Sequence, residues 1–149
     1  MKFMTGTVEH QLDGKNRIRI PAKFRSAFPE KETLYFVRYN ADRVAVMPES
    51  VLNAKMKVFD DITPDDEEAM DAMAKILGSV EELSEDNQGR TMIPRYFREA
   101  AGIEKDVVTV GMGSYIEIWS KQLHDDKMGK MTVQRANAVA YGRKNGNER

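Results

Sequence analysis

Lys15, Arg17 and Arg19 stand at alternate positions of a segment that also carries Lys23 and Arg25, with no acidic residue among them. In an extended chain that spacing gathers the cations at a turn and along one face of the strand that follows. Such groups bind phosphate, and a guanidinium also donates two hydrogen bonds to guanine in the DNA major groove, which admits a two-stranded ribbon. The plainer reading is a solvated strand in which Arg17 pairs with Asp13 across the turn.

The segment occurs twice. Asp13-Gly14-Lys15-Asn16-Arg17-Ile18-Arg19-Ile20-Pro21-Ala22-Lys23-Phe24-Arg25 returns as Asp86-Asn87-Gln88-Gly89-Arg90-Thr91-Met92-Ile93-Pro94-Arg95-Tyr96-Phe97-Arg98, displaced by 94 − 21 = 73 positions. A fixed offset of this size marks an internal repeat. Asp86 and Arg90 return without the surrounding basic cluster. The Asp-x-x-x-Arg spacing therefore reads as a turn-orienting device, in which the Asp13 and Asp86 carboxylates aim the guanidinium groups of Arg17 and Arg90. Arg25 and Arg98, on the following helices, read as braces of the fold or of an interface.

Each copy spells a turn, a strand and a helix start. The turn residues tolerate left-handed geometry, 17–20 alternates with period two, and Pro21 ends the strand and opens a helix over 22–28. The second helix covers 95–101, with Gly102 as its left-handed cap. Val8, His10 and Leu12 form the inner face of a strand leading into the first motif. The motif turn is expected to bring the chain back as 17–20, in a hairpin with Lys15, Arg17 and Arg19 at its tip and outer face. Strands over 34–38 and 43–47 follow it, and strands over 107–110 and 115–119 follow the second copy, where the offset slips to 120 − 48 = 72.

Between the halves the sequence predicts a helix over 49–59, then one capped by Thr63 with Pro64 in its first turn, ending at Gly78. Met70, Met73, Ala74 and Leu77 share one face of it, read as core in preference to a subunit interface. Ser120 caps a terminal helix expected to break near Gly129, and residues 142–149 have the composition of a frayed tail.

Halves of roughly 45 to 50 residues are marginal on their own, so the two are expected to pack together about a pseudo-twofold. Absence of cysteine excludes disulfides, zinc-thiolate sites and cysteine nucleophiles. No secretory signal or membrane-length apolar run is present, so a soluble cytoplasmic protein is the expectation. The net charge of −1 gives no global attraction to polyanions. Its distribution does: the first motif is basic, whereas Lys75 is the only base between Asp60 and Asp86. An enzyme is not expected, because His10 and His124 lack a nucleophile or ligand partner in pattern, and the acidic run 60–71 lacks calcium-loop spacing. No cofactor, metal or small-molecule substrate is expected.

Asp-x-Lys-x-Arg-x-x-x-Pro-x-x-Phe-Arg, returning with Gln88 at the lysine position, resembles the MraZ family of bacterial transcription regulators with two SpoVT-AbrB-type domains. The resemblance runs from Thr5 to the helix after Trp119. It implies an α+β, mainly β fold, in which two tandem AbrB-like swapped-hairpin repeats form a pseudo-twofold double-split β-barrel with flanking helices. The first SpoVT-AbrB domain would span 5–52, a helical linker 53–78, the second domain 79–122, and the C-terminal helix and tail 123–149. The resemblance further implies a ring homo-oligomer, nucleoid-associated in the cytoplasm. That ring would bind double-stranded DNA at repeated boxes upstream of the division and cell-wall gene cluster, usually repressing it. Carried over by position, the DNA-binding residues are Lys15, Arg17, Arg19 and, in the second half, Arg90. Asn16 departs from the family's usual glycine, though asparagine accepts left-handed geometry, and the terminal helix is less regular than the family's. The alternative is an AbrB-like antitoxin or another partner-binding barrel without regulatory DNA binding. Such proteins generally carry one motif copy and a disordered tail, so the duplication argues against it. A scaffold ring that does not touch DNA is a third reading.

Overall fold

The computed structural model describes residues 2–147, with side chains through Lys144. The fold is α+β and mainly β. In chain order the elements are β1 (Thr7–Gln11), β2 (Arg17–Arg19), α1 (Ala22–Arg25), β3 (Leu34–Asn40), β4 (Arg43–Pro48), α2 (Glu49–Met56) and α3 (Glu67–Leu77). There follow β5 (Glu81–Glu82), β6 (Arg90–Met92), α4 (Arg95–Ala101), β7 (Asp106–Gly111), β8 (Ile116–Ser120), α5 (Lys121–Lys130) and α6 (Val133–Asn147). Six strands form one antiparallel sheet in the order β1-β7-β8-β4-β3-β5, and β2 pairs with β6 as a separate two-stranded ladder. The sheet is open, so its hydrogen bonding does not close a barrel among the described residues.

Neither half is self-contained. β1 pairs with β7 of the second half, and β5 pairs with β3 of the first. The expected hairpin of β1 with β2 does not form, because each of these strands takes its partner from the second half. The registers obey the sequence offset: Val8 faces Thr109, and the residues 73 positions after Val8 and before Thr109, Glu81 and Phe36, face each other. At the centre of two pairings one residue meets its own counterpart. Ile18 lies opposite Thr91 in the ladder, and Ala45 lies opposite Glu117 where β4 meets β8.

Burial explains why the strands read as they do. β4 is apolar without alternation because both of its faces are covered. Val44 and Val46 face the main core with Ile18, Ile20, Phe24, Phe36, Ile93, Phe97, Val107, Ile116 and Ile118. Ala45 and Met47 face a second cluster, closed by Leu52 and Val51 of α2 and by Tyr115. Phe24 and Phe97 hold α1 and α4 onto the core, and the Phe97 ring lies 5.7 Å from that of Phe36. The N-terminal segment is stitched in ahead of β1: Met4, itself buried, exchanges two backbone hydrogen bonds of 2.8 Å with Gly113. Gly111 permits this approach, since a Cβ there would sit 2.6 Å from the Thr5 nitrogen.

Several expected helices move. α1 ends at Arg25, and α2 ends at Met56 before a 3-10 turn over Lys57–Phe59. α3 is capped by Asp66, whose carboxylate accepts from the Ala69 N–H at 3.1 Å, in place of Thr63; Pro64 lies in the preceding turn. Its apolar stripe is not core, since none of its residues belongs to either buried cluster. Met70 and Met73 are half-buried, Ala74 is exposed and Leu77 is 40% exposed. Ser120 does cap α5, accepting from the Leu123 N–H at 3.2 Å. The break falls at Met131 and Thr132, and Thr132 caps α6 through the Arg135 N–H. α6 continues to Asn147 through most of the segment expected to fray, whose last two residues lie outside the described ones. α5 is tied to the β3–β4 turn by Lys127, whose ammonium lies 2.7 Å from Asp42. No helix among the described residues is long and apolar enough to cross a membrane.

Phe24 and Phe97 stand 73 positions apart at equivalent sites and are 0% and 1% exposed. Truncating either to alanine is expected to cost about 3–5 kcal/mol of unfolding free energy. Urea denaturation of the two variants tests this, and the costs should agree within about 1 kcal/mol if the halves support each other equally.

Candidate nucleic-acid interface

The two motif turns have the same hydrogen bonding. Asp13 Oδ1 accepts from the backbone N–H groups of Lys15 (2.9 Å) and Arg17 (3.0 Å), and Oδ2 accepts from Arg17 Nε at 2.8 Å. Asp86 accepts from the N–H groups of Gln88 and Arg90, both 2.9 Å, and from Arg90 Nε at 2.8 Å. In both turns the aspartate N–H also donates to the arginine carbonyl, at 2.9 Å and 2.8 Å. The fourth residue is left-handed in each, Asn16 at φ 61° and Gly89 at φ 74°. Asparagine thus supports the geometry that glycine supports in the second copy.

These donors set the aspartates' acidity. The Arg17 backbone N–H is the main influence holding Asp13 below the usual carboxylate range, with the Lys15 N–H and the Arg17 guanidinium adding to it. The Arg90 backbone N–H leads the same set at Asp86, whose pKa falls to about 2. Both carboxylates are therefore ionised at neutral pH, and their oxygens are occupied by N–H groups of their own turn.

The ladder brings the two copies into one place. Arg17 faces Met92, Ile18 faces Thr91 and Arg19 faces Arg90. Ile18 and Thr91 point into the core at 3% and 2% exposure. Alternation leaves Arg17, Arg19, Arg90 and Met92 on the outer side. The Arg17 and Arg90 side chains are 25% and 29% exposed, and Arg19 is exposed. Arg17 Nη1 also lies 3.7 Å from Asp86, and Arg19 Nε donates to the Gln88 carbonyl at 3.0 Å, so each first-half arginine reaches the second-half turn. Lys15 is exposed at the tip of the first turn.

Residues near the ladder have other work. Arg25 forms a 2.7 Å ion pair with Glu85, and Arg98 Nε donates to the Ile93 carbonyl at 2.9 Å. His10 is half-buried with Nε2 2.6 Å from Thr109 Oγ1, and burial lowers its pKa. Sequence reasoning missed two features. Glu117 is fully buried and accepts from Asn40 Nδ2 (3.3 Å) and Trp119 Nε1 (3.2 Å), with Arg43 Nη1 at 3.6 Å. Met92 stands exposed among the arginines; the offset of 73 already placed it at the position equivalent to Arg19.

The sequence matches, over residues 3–40 and 76–139, the family described as "MraZ protein, putative antitoxin-like". It is similar to proteins named transcriptional regulator MraZ in several bacteria. That of Anaeromyxobacter dehalogenans strain 2CP-C is 34% identical over 128 residues, covering 83% of this chain and 88% of the relative. That of Thermoanaerobacter sp. strain X514 is 37% identical over 125 residues, covering 83% and 85%. That of Mycoplasmopsis pulmonis is 31% identical over 137 residues, covering 91% of each.

The depressed acidity of Asp86 fixes the sign of a pH effect. A carboxyl whose folded pKa lies below its unfolded value of about 3.9 stabilises the fold above that value, and the contribution disappears as pH falls toward about 2. Thermal unfolding followed from pH 5 to pH 2 should show stability falling through this window. Asp86→Asn should flatten that fall, and an unchanged slope would show that the turn does not hold the carboxylate as described.

Proposed function

The chain belongs to the MraZ family, and from that premise we propose that it is a sequence-specific DNA-binding transcription regulator acting as a ring homo-oligomer. The name shared by its relatives supports the transcriptional role. The observation that carries the DNA-binding reading is the outer face of the β2–β6 ladder, where Arg17, Arg19 and Arg90 from both motif copies converge. Lys15 extends the same cationic surface at the turn. A two-stranded ribbon of this kind fits the major groove, where guanidinium groups bind phosphate or guanine.

Asp13 and Asp86 act in this reading as turn-orienting residues. Each takes its own arginine's Nε, which leaves terminal guanidinium nitrogens as donors for DNA, with Arg17 Nη1 also 3.7 Å from Asp86. The two halves are SpoVT-AbrB domains at 5–52 and 79–122, interlocked as swapped hairpins, with a linker at 53–78 and a terminal helical segment at 123–149. Exchange of β1 and β5 between the halves supports that arrangement.

A ring gives a small site its affinity. One ladder contributes few phosphate contacts, whereas several copies on spaced boxes act at high effective concentration. The exposed apolar residues of α3, Ile76 and Leu77, and the exposed part of α6 as far as Lys144 are available for contacts between copies. The DNA is the set of repeated boxes upstream of the division and cell-wall gene cluster, and binding there represses transcription from the nucleoid. The family description favours one other reading, a partner-binding antitoxin-like barrel without regulatory DNA binding.

Mobility shifts on the protein's own upstream DNA, run beside light scattering, separate the two. Arg17→Ala is expected to abolish the specific shift and leave the assembly state unchanged; a normal shift by the variant would refute the assigned role. Raising salt from about 50 to 200 mM should weaken wild-type binding by about 10³-fold or more if six or more phosphates are contacted. A flat titration would show that cationic contacts do not hold the complex.

A further inference from the structure

The outer face of the ladder has four corners and only three of them are cationic. Ile93 N–H donates to the Asn16 carbonyl at 3.1 Å. Alternation from that bond puts the Arg17/Met92 and Arg19/Arg90 pairs at non-hydrogen-bonded positions, where facing side chains come closest. Two arginines directly opposite each other destabilise a ladder. Their repulsion is offset by acceptors at Nε: Gln88 O for Arg19 and Asp86 Oδ2 for Arg90, with Asp13 Oδ2 for Arg17. The three guanidinium groups are thus positioned, and the fourth corner is a thioether side chain, Met92, 59% exposed.

Backbone symmetry makes this corner informative. Met92 occupies the position equivalent to Arg19, so the two strands match in register and hydrogen bonding but differ in chemistry at one outward position. A cation there would add phosphate affinity; methionine adds none. What it adds is an unbranched, polarizable side chain that adapts to an apolar surface. On the major-groove edges of the base pairs the apolar feature is the thymine 5-methyl group. Facing residues across a ladder are about 4.5–5.5 Å apart at Cβ, between one and two base-pair steps of about 3.4 Å. With the cross-strand direction running along the DNA axis, Met92 would meet a base pair beside the one that Arg17 reads.

We propose that Met92 is a specificity-determining residue that packs on the 5-methyl group of a thymine beside the base pairs engaged by Arg17, Arg19 and Arg90. The inference rests on the DNA-binding reading above and adds to it a base preference.

The test uses full-length protein and duplex DNA from upstream of its own gene, narrowed to one box by footprinting. Each thymine in turn is replaced by deoxyuridine, which removes the methyl and keeps the hydrogen-bonding pattern. Wild-type protein should lose about fourfold in affinity at one thymine position, the worth of one buried methyl group. Met92→Ala should bind the unmodified box about as weakly as wild type binds the uridine box, and should not distinguish the two. Wild-type affinity unaffected by every replacement would overturn the role of Met92 while leaving the DNA-binding reading intact. So would uridine sensitivity that persists in Met92→Ala. Failure of wild-type protein to bind any upstream DNA would overturn the parent reading and this inference with it.

Discussion

The pairing of β2 with β6 is the constraint from which the rest of the architecture follows. Each motif strand is three residues long, and a lone strand of that length leaves its backbone groups without partners. The partner each finds is its own copy from the other half. That choice joins the halves, places Ile18 and Thr91 face to face in the core, and turns the arginines of both copies outward together. A cationic surface and a folding contact are made by the same six residues, with inward and outward side chains dividing the tasks.

The aspartate of each turn settles how that surface can carry so much like charge. Asp13 and Asp86 are spent on backbone N–H groups and on the Nε of their own arginine, and Asp86 also lies 3.7 Å from Arg17 Nη1. Charge-assisted bonds of this kind fix geometry as well as charge. The first half adds Lys15 and Arg19, and the second puts Gln88 and Met92 at the matching places. Duplicated scaffolding therefore presents an asymmetric face.

The repeat, the turn and the strand–proline–helix sequence were legible because local chemistry fixes them. Asp-x-x-x-Arg bonds within five residues, and Pro21 and Pro94 stop a strand wherever they stand. Pairing partners were not legible in the same way: nothing local to Thr7–Gln11 says that it joins β7, about 100 residues later, in preference to β2, the next strand in the chain. The stripe on α3 misled because an amphipathic period reports an apolar face without saying what covers it. Thr63 and Asp66 both have capping chemistry, and the choice between them was made by where the chain could turn. Glu117 is the one charged residue of the strand over 115–119, and it lies in the middle of the sheet, opposite Ala45. There Asn40, Trp119 and Arg43, scattered in the sequence, converge to satisfy it.

The β1–β7 contact has a consequence for how the chain comes off the ribosome. β1 leaves the ribosome about 100 residues ahead of its partner β7, so it must wait with an open edge while that intervening stretch is synthesised. Connections this distant in sequence slow folding and prolong exposure of unpaired strands. During that wait a neighbouring nascent chain could offer the same edge, which would make crowding on a polysome a route to entangled copies.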